Sequence, residues 1–234
     1  MTLIVLSPAA GAMQAGQRLA PAGNEDQVKS GTGFFISPDG YLVTSAHVIT
    51  QCQGVSIWAE DGRQRNARIA ALDPAADIAL LQTKDRPPGY LAPRYRQTLR
   101  VGERVVTLGL GISTTQPKSP VLTTGNFLSR GEMGSGHQVI LIRAWLHAGN
   151  SGGPVIDDHG SLLGMVIGRD STRPGIGVVL AAADIDAFRI RYRAHWSSDD
   201  GNLRSEDSTA LLRRASALVQ CVPGPAAPAD DSRH

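Results

Sequence analysis

A serine at position 151 lies in the segment GNSGGP, residues 149–154, with glycines on both sides. A serine hydroxyl is a weak nucleophile at neutral pH, and it attacks a carbonyl only when a neighbouring base accepts its proton. The glycines let the backbone turn sharply, so successive N–H groups can converge on one oxyanion. We therefore predict Ser151 as a nucleophile and Gly149, Asn150 and Ser151 as its oxyanion hole, with the N–H groups of Gly149 and Ser151 as the donors. A plain Gly/Ser turn is the alternative interpretation of this segment alone.

The base for such a serine is usually histidine, because the pKa of imidazole lies near the working pH. The chain has six histidines, and His47 differs from the others in its position. It follows the apolar segment YLVT and two small residues, about 100 residues before Ser151, which suits two groups carried by different halves of a fold. His147 is nearer to Ser151 in sequence but belongs to the approach to the serine loop, so it is the second candidate. The other four lie in polar loops or tails and are interpreted as having no catalytic role: His137, His159, His195 and His234.

An imidazole base needs a carboxylate that fixes its tautomer and stabilises the imidazolium. The segment DPAADIALL, residues 73–81, offers two carboxylates. Asp73 precedes a proline and is predicted to be a turn residue. Asp77 leads directly into an apolar run, and a carboxylate at the edge of a buried strand is costly unless it has a partner. Asp77 is therefore the predicted partner of His47.

Short strands must position these residues, since the chain has 26 glycines and 14 prolines and alternates brief apolar segments with turns. Residues 31–36 and 41–44 form a predicted hairpin around the turn SPDG. Further strands are predicted at residues 55–59, 67–72, 78–82, 104–108, 121–127, 139–144, 154–156, 162–167 and 176–181. One helix is predicted over residues 184–192, with Asp184 as its N-cap. The chain has neither the strand–helix alternation of a parallel α/β fold nor an internal repeat, so the predicted class is all-β.

The pattern divides the chain into a main domain and three flanking segments. Residues 28–193 form the domain. A connection at about residues 84–100 joins its two halves. It contains a cluster of arginines, which we interpret as part of a solvated loop. Residues 194–222 are a tail with a short helix and strand, and residues 223–234 are predicted to be disordered. Residues 1–27 are predicted to be a leader or linker. They fit either the C-terminal part of a signal peptide or an N-terminal segment without a targeting signal.

Charge and hydropathy argue against some classes of function. The 23 Lys and Arg residues nearly balance the 21 Asp and Glu residues, so no cation excess indicates a nucleic-acid-binding face. No apolar run reaches the ~20 residues of a membrane-spanning helix. The two cysteines, Cys52 and Cys221, permit either one disulfide or two free thiols.

Four segments, GTGFFIS, YLVTSAHVI, DPAADIALL and GNSGGPVID…GSLLGMVIG, resemble the trypsin-like serine endopeptidases, in particular the bacterial HtrA/DegP type. The resemblance covers about residues 31–188. It implies two six-stranded antiparallel β-barrels of chymotrypsin type with a short C-terminal helix, and a triad of His47, Asp77 and Ser151 in the cleft between them. It also implies peptide-bond hydrolysis through an acyl-enzyme on protein or peptide substrates, without a metal or organic cofactor, in the periplasm or outside the cell.

The resemblance implies further roles. The edge of one strand would pair with the substrate backbone, and it is assigned to Leu163, Gly164, Met165, Val166 and Ile167. Trp145 stands where the floor of the primary specificity pocket is expected, and the expected side chain before the scissile bond is small or medium-sized and apolar. Similar bacterial proteins imply a Cys52–Cys221 disulfide, which needs an oxidising compartment. Arg143 replaces the usual acidic residue before the serine loop, and the PDZ domains of HtrA proteins are not expected here.

Two other functions fit parts of the pattern. The segment GNSGG also satisfies the G-x-S-x-G motif of α/β-hydrolase esterases, which would need Asp184 and His195 as the later triad members. The missing strand–helix alternation argues against this alternative. A trypsin-like fold without catalysis is the second alternative, because an intact site can be held in an inactive geometry.

Overall fold

The computed structural model describes residues 29–91, 99–113, 116–117, 119–194 and 207–223. Within these ranges the chain forms two closed β-barrels, each of six antiparallel strands. This confirms the predicted all-β class and the two-barrel architecture. The strands are short and rich in Val, Ile, Leu and Phe, and turns with glycine and proline separate them.

The first barrel combines the N-terminal half of the chain with one late strand. Its strands are β1 (Ser30–Phe35), β2 (Tyr41–Thr44), β3 (Cys52–Ala59), β4 (Gln64–Asp73), β5 (Ile78–Gln82) and β14 (Ser216–Pro223). They follow the order β1–β14–β3–β4–β5–β2 around the barrel. The predicted hairpin is confirmed, and Gly40 in its turn has a φ of 80°, a conformation that glycine adopts without the steric cost of a Cβ.

The second barrel is built from the C-terminal half. Its strands are β6 (Arg104–Gly109), β9 (Val121–Glu132), β10 (Gln138–Arg143), β11 (Pro154–Asp157), β12 (Leu162–Arg169) and β13 (Ile176–Ala181). Their order is β10–β13–β12–β11–β6–β9. A separate hairpin joins β7 (Ile112–Ser113) to β8 (Gln116–Pro117).

The described residues include the helices α1 (Ala46–Ile49), α2 (Ala182–Arg191) and α3 (Ser208–Ala215). The prediction of a helix at residues 184–192 is confirmed, but Asp184 is not its N-cap. The cap position is Ala181, and the carboxylate of Asp184 instead accepts a hydrogen bond from the backbone N–H of Gln138 at 3.0 Å. It also lies 3.2 Å from Nδ1 of His137, so this histidine joins the start of β10 to α2.

The late strand β14 corrects the predicted domain boundary. The sequence analysis placed it in a tail beyond residue 193, whereas it pairs with both β1 and β3 and completes the first barrel. Val219, for example, pairs with Gly31 on one side and with Ile57 on the other. Pairing across most of the chain leaves no local signal in the sequence. The domain therefore extends to Pro223.

Each barrel has its own apolar core, and a further cluster packs the two barrels together. That cluster includes Phe34 from β1 and Leu108 from β6, both fully buried. Since close-packed interiors resist deformation, this interface fixes the relative position of groups that the two barrels bring to the cleft.

Some predictions concern residues outside the described ranges: residues 1–27, the middle of the connection at 92–98, His195, and residues 224–234 with His234. In the ranges that are described, no helix combines the length and the apolar character needed to cross a bilayer.

Candidate active site

His47 lies in α1, directly after the end of β2. Its ring Nδ1 is 2.8 Å from Oδ2 of Asp77, and its backbone N–H donates to Oδ1 of the same carboxylate at 2.9 Å. Asp77 precedes β5 and has a φ of 52°, a strained conformation for a residue with a side chain. The carboxylate thus holds both the backbone and the ring of His47, which fixes the tautomer with the proton on Nδ1 and leaves Nε2 as the acceptor.

The environment of His47 raises the pKa of its imidazole above the ordinary value of 6.5. The hydrogen bond that the ring donates to Asp77 is the main cause, and the negative charge of Asp77 adds to it. Partial burial and the ammonium group of Lys29 act in the opposite direction without cancelling the rise. The side chain is 51% exposed, so the ring is accessible from the cleft.

The loop that carries Ser151 packs directly against the segment that carries His47. The backbone N–H of Thr32 in β1 donates to the carbonyl oxygen of Ser151 at 2.9 Å. A Cβ at Gly31 would lie 2.8 Å from that oxygen and 2.7 Å from Cγ2 of Val48 in α1. Only glycine allows β1 to fit between these two groups, so glycine at position 31 lets the segments that carry Ser151 and His47 pack closely together.

Ser151 and His47 line one cleft between the barrels, with a volume of about 510 Å³. The same cleft is lined by Trp145 and Ile167. Among the described residues, no hydrogen bond joins the His47 ring to the Ser151 hydroxyl. Catalytic hydrogen bonds are often long in the absence of substrate and tighten when it binds.

Two backbone N–H groups next to the nucleophile have no hydrogen-bond acceptor within the described part of the chain: those of Gly149 and Ser151. Gly149 has a φ of 100°, and its Cα packs against Gly111, where a Cβ would be 2.6 Å from the nearest atom. Such unpaired N–H groups can bind an oxyanion.

Asn150 corrects the predicted oxyanion hole, because its N–H is already occupied by the carbonyl oxygen of His147 at 3.1 Å. Its side chain is buried, and its Oδ1 accepts a hydrogen bond from the N–H of His147 at 2.8 Å. Asn150 therefore closes the turn that presents its two neighbours rather than donating to an oxyanion itself.

Thr32 is a functional candidate that sequence reasoning missed. Its buried hydroxyl donates to the carbonyl oxygen of Gly149 at 2.6 Å and accepts from the N–H of Leu110 at 2.7 Å. Thr44 in turn donates to the carbonyl oxygen of Thr32 at 2.7 Å. The first barrel thereby holds the peptide group between Gly149 and Asn150, which lies in the turn between the two unpaired N–H groups. A threonine inside a strand carries no signal of this role, because its partner lies 117 positions away.

Most of the predicted substrate-binding strand is engaged within the barrel. Between Leu162 and Met165, β12 pairs with β11 on one side, and from Gly164 onward it pairs with β13 on the other. Leu163, Gly164 and Met165 are buried there, so they do not reach the cleft. Val166 makes the last bonds to the serine loop: its carbonyl oxygen accepts from the N–H of Gly152 at 2.7 Å, and its N–H donates to Gly153.

Beyond Val166, one edge of β12 has no strand partner among the described residues, and it lies at the cleft; we call it the free edge. The residues along this edge are Ile167, Gly168 and Arg169, and all three line the cleft with Ser151. Of the five predicted residues, only Ile167 lies there. The apolar pattern identified the strand, but the point at which its edge becomes free is set by tertiary pairing.

Trp145 lines the cleft but does not form a buried floor, since it is 72% exposed. Its indole packs near Gly175, where a Cβ would lie 3.6 Å from the ring. The predicted place of Trp145 in the substrate-binding cleft stays a prediction, with the indole at an exposed position. The indole forms an open apolar wall opposite the free edge of β12.

The remaining candidates fall outside the cleft. His147 is exposed, and within the described residues its ring has no hydrogen-bond partner. Cys52 and Cys221 form a disulfide with their Cα atoms 5.3 Å apart. It joins β3 to β14 a few residues after His47. Asp73 accepts hydrogen bonds from the N–H groups of Ala75 and Ala76, which confirms its role in the turn before β5.

Comparison with known proteins agrees with the two-barrel fold. A family model described as the trypsin-like peptidase domain matches residues 31–165. The uncharacterized protein y4bJ of Sinorhizobium fredii is 31% identical over 82% of this chain and 32% of its own length. A protein of Bartonella henselae, named a probable periplasmic serine endoprotease DegP-like, is 35% identical over 68% of this chain and 30% of its own.

Among solved structures, the Rv3671c protease of Mycobacterium tuberculosis in an inactive form superposes with a TM-score of 0.61 at 30% identity. The match covers 71% of this chain and 88% of that one. This chain spans about a third of the length of the curated relatives that it matches.

Proposed function

Since this chain belongs to the family of trypsin-like peptidase domains, we propose that it is a serine endopeptidase with the catalytic triad His47, Asp77 and Ser151. One observation carries the proposal: Asp77 holds His47 at two points, and His47 shares a cleft with Ser151, although the two residues come from different barrels. This is the arrangement in which a serine hydroxyl becomes a nucleophile.

Acylation begins when substrate is bound along the free edge of β12, with its scissile carbonyl at Ser151. Nε2 of His47 accepts the hydroxyl proton as Oγ attacks the carbonyl carbon, and Asp77 stabilises the imidazolium that forms. The N–H groups of Gly149 and Ser151 bind the oxyanion of the tetrahedral intermediate. The imidazolium then gives its proton to the leaving amine, which departs and leaves an ester on Ser151.

Deacylation repeats these steps with water as the nucleophile. His47 accepts a proton from water as the hydroxide attacks the ester carbonyl, and the same two N–H groups bind the new oxyanion. Collapse of this intermediate returns the proton from His47 to Oγ of Ser151 and releases the carboxylic acid. None of these steps requires a metal ion or an organic cofactor.

We further propose that the substrates are protein or peptide chains in the periplasm or outside the cell. The name of the Bartonella relative places that protein in the periplasm. The Cys52–Cys221 disulfide supports an oxidising compartment for this chain as well. The free strand edge of β12 suits an extended peptide, because backbone pairing accepts many sequences.

The two alternative functions receive less support. An α/β-hydrolase esterase needs a parallel sheet with covering helices, whereas the two antiparallel barrels carry the candidate base before the nucleophile in the chain. A non-catalytic binding module does not require a carboxylate that binds both the backbone N–H and the ring of a histidine. It also does not require two unpaired N–H groups beside a serine.

The test is hydrolysis of an unfolded protein substrate, such as reduced and alkylated casein, by the full chain. We expect cleavage by the wild type and by Ser129→Ala, which removes an exposed hydroxyl on β9, and none by Ser151→Ala. Equal cleavage by wild type and Ser151→Ala would contradict the proposal. Binding of casein without cleavage by any variant would instead favour the binding module.

A further inference from the structure

The cleft contains a cation that the triad does not use. Arg169 is the last residue of β12 and lines the cleft with His47 and Ser151. Its Nη1 lies 3.5 Å from the carbonyl oxygen of Leu146 on the opposite wall, so the side chain extends across the cleft. Among the described residues Arg169 forms no ion pair with a carboxylate. Arg169 thus brings a positive charge to the cleft that Ser151 lines.

The carboxylate next to Arg169 is already engaged elsewhere. Asp170 is the only acidic residue among the described residues that line the cleft. Its Oδ2 accepts from Nε of Arg173 at 2.7 Å, and its Oδ1 accepts from the hydroxyl of Thr172 at 2.6 Å. These hydrogen bonds, that of Thr172 foremost, hold the pKa of Asp170 well below its ordinary value. The pair of Asp170 and Arg173 is therefore neutral as a unit, and the charge of Arg169 remains uncompensated.

The register of the free edge places Arg169 beside one particular substrate residue. The carbonyl oxygen of Val166 accepts a hydrogen bond from the N–H of Gly152, the residue after Ser151. A substrate carbonyl attacked by Ser151 would therefore lie next to Ile167, the residue that follows Val166. The side chain of the residue that supplies this carbonyl would then enter the cleft that β12 and Trp145 both line. That is the space that Arg169 crosses.

We propose that Arg169 is a specificity-determining residue that selects Asp or Glu immediately before the scissile bond. The inference rests on the proposed peptidase function and replaces the expected apolar preference. A guanidinium without a carboxylate partner forms short, charge-assisted hydrogen bonds with a side-chain carboxylate. An uncharged side chain of the same size, such as Gln, can accept a hydrogen bond from the guanidinium but lacks the negative charge that pairs with it. A Lys or Arg side chain at this position is repelled.

Two measurements test the proposal, and only one of them requires catalysis. The first compares kcat/KM of the wild type on acetyl-Ala-Ala-Ala-Glu and acetyl-Ala-Ala-Ala-Gln 4-nitroanilides. The second measures binding of the two product peptides, which end in free Glu or Gln, to Ser151→Ala by calorimetry. We expect the Glu peptide to be favoured about tenfold in both, the value of one charge-assisted hydrogen bond. The preference falls as salt is added, because the site is open to solvent.

Two substitutions isolate the side chain. Arg169→Gln should bring the Glu and Gln peptides to within about twofold of each other, whereas Arg104→Gln, which removes an exposed arginine outside the cleft, should keep the wild-type ratio. Equal binding of both peptides to Ser151→Ala, or a Glu preference that survives in Arg169→Gln, would overturn the proposal. If no nitroanilide is cleaved but the Glu product still binds more tightly, the peptidase function fails and the role of Arg169 stands.

Discussion

In the proposed mechanism, Asp77 acts on catalysis through the ring of His47. Its carboxylate binds both the backbone N–H and Nδ1 of that residue and is the main cause of the raised imidazole pKa. Catalysis requires the neutral imidazole, so activity should increase with pH through a midpoint above 6.5. Below that midpoint the imidazole is protonated and cannot accept the serine proton.

We expect Asp77→Asn to lower kcat by roughly 10³–10⁴-fold, because an amide favours the wrong tautomer of the imidazole. The midpoint of the acidic limb should also move to lower pH, since the group that raises the pKa of His47 has lost its charge. A pH–rate profile of kcat/KM checks both effects. Asp73→Asn affects the nearby turn and an ion pair with Arg191 without touching His47, so it should keep the wild-type profile. An acidic limb at the same pH in the wild type and Asp77→Asn would contradict this role.

We propose that Thr32 is a positioning residue that acts through the hydrogen bond of its hydroxyl to Gly149. Removing this hydroxyl tests the proposal. We expect Thr32→Val to lower kcat by about 10²-fold with little change in KM, because the Gly149–Asn150 peptide loses a hydrogen bond that holds the turn between the two proposed oxyanion donors, so that these donors are misplaced. Thr32→Ser keeps the hydroxyl and should restore most of kcat. Thermal unfolding of both variants separates this effect from general destabilisation. An unchanged kcat in folded Thr32→Val would contradict the assignment.

At the residue scale, the sequence predicts a group best when its chemistry and its neighbours in the chain agree. Ser151 between glycines, His47 after a strand and Asp77 before an apolar run each met that condition. Thr32, Gly168 and Arg169 did not, because their roles depend on which distant segment lies opposite. Asn150 was included in the oxyanion hole for its place in the motif, and its N–H turned out to close a turn.

At the scale of elements, a glycine determines how closely the loop that carries Ser151 packs against the first barrel. A Cβ at Gly152 would lie 2.0 Å from the carbonyl oxygen of Thr32 and 2.5 Å from Oγ1 of Thr44. Gly152 also has a φ of 81°. The loop can therefore dock between β1 and β2 only with glycine at this position.

A matched pair of variants separates backbone strain from steric conflict. Gly102 has a φ of 86°, and a Cβ there would meet no atom within 4 Å, so Gly102→Ala should cost about 1–2 kcal/mol of unfolding free energy. Gly152→Ala carries a similar strain and also the overlap with Thr32, so it should cost clearly more and abolish activity. Urea denaturation measures both. Equal destabilisation by the two variants would contradict close docking of the loop.

The strands themselves were largely predictable, whereas their ends were not. Alternating apolar segments and turns marked the predicted segments in both barrels, because local preference and burial agree there. β9 runs to Glu132, well beyond the predicted end at residue 127, since it pairs with β6 in its first half and with β10 in its second. Such limits depend on partners that a local pattern does not reveal.

The first barrel closes only when the two ends of the domain meet, and this is a property of the whole molecule. β14 lies between β1 and β3, and the Cys52–Cys221 disulfide joins residues 169 positions apart. We expect the Cys52→Ala/Cys221→Ala double variant to lose about 2–4 kcal/mol of unfolding free energy, chiefly because its unfolded chain is less constrained. Urea unfolding with and without a reductant measures this. Coincident transitions for oxidised wild type, reduced wild type and the double variant would contradict it.

The central claim is that the two barrels bring an imidazole and a hydroxyl together as one reactive unit. Labelling with a fluorophosphonate, read by peptide mass spectrometry, tests this most directly. We expect a single label on Ser151 in the wild type, the same labelling rate in His147→Ala, and a rate lower by roughly 10³-fold or more in His47→Ala. A label on another residue, or labelling of Ser151 at an unchanged rate in His47→Ala, would contradict the account.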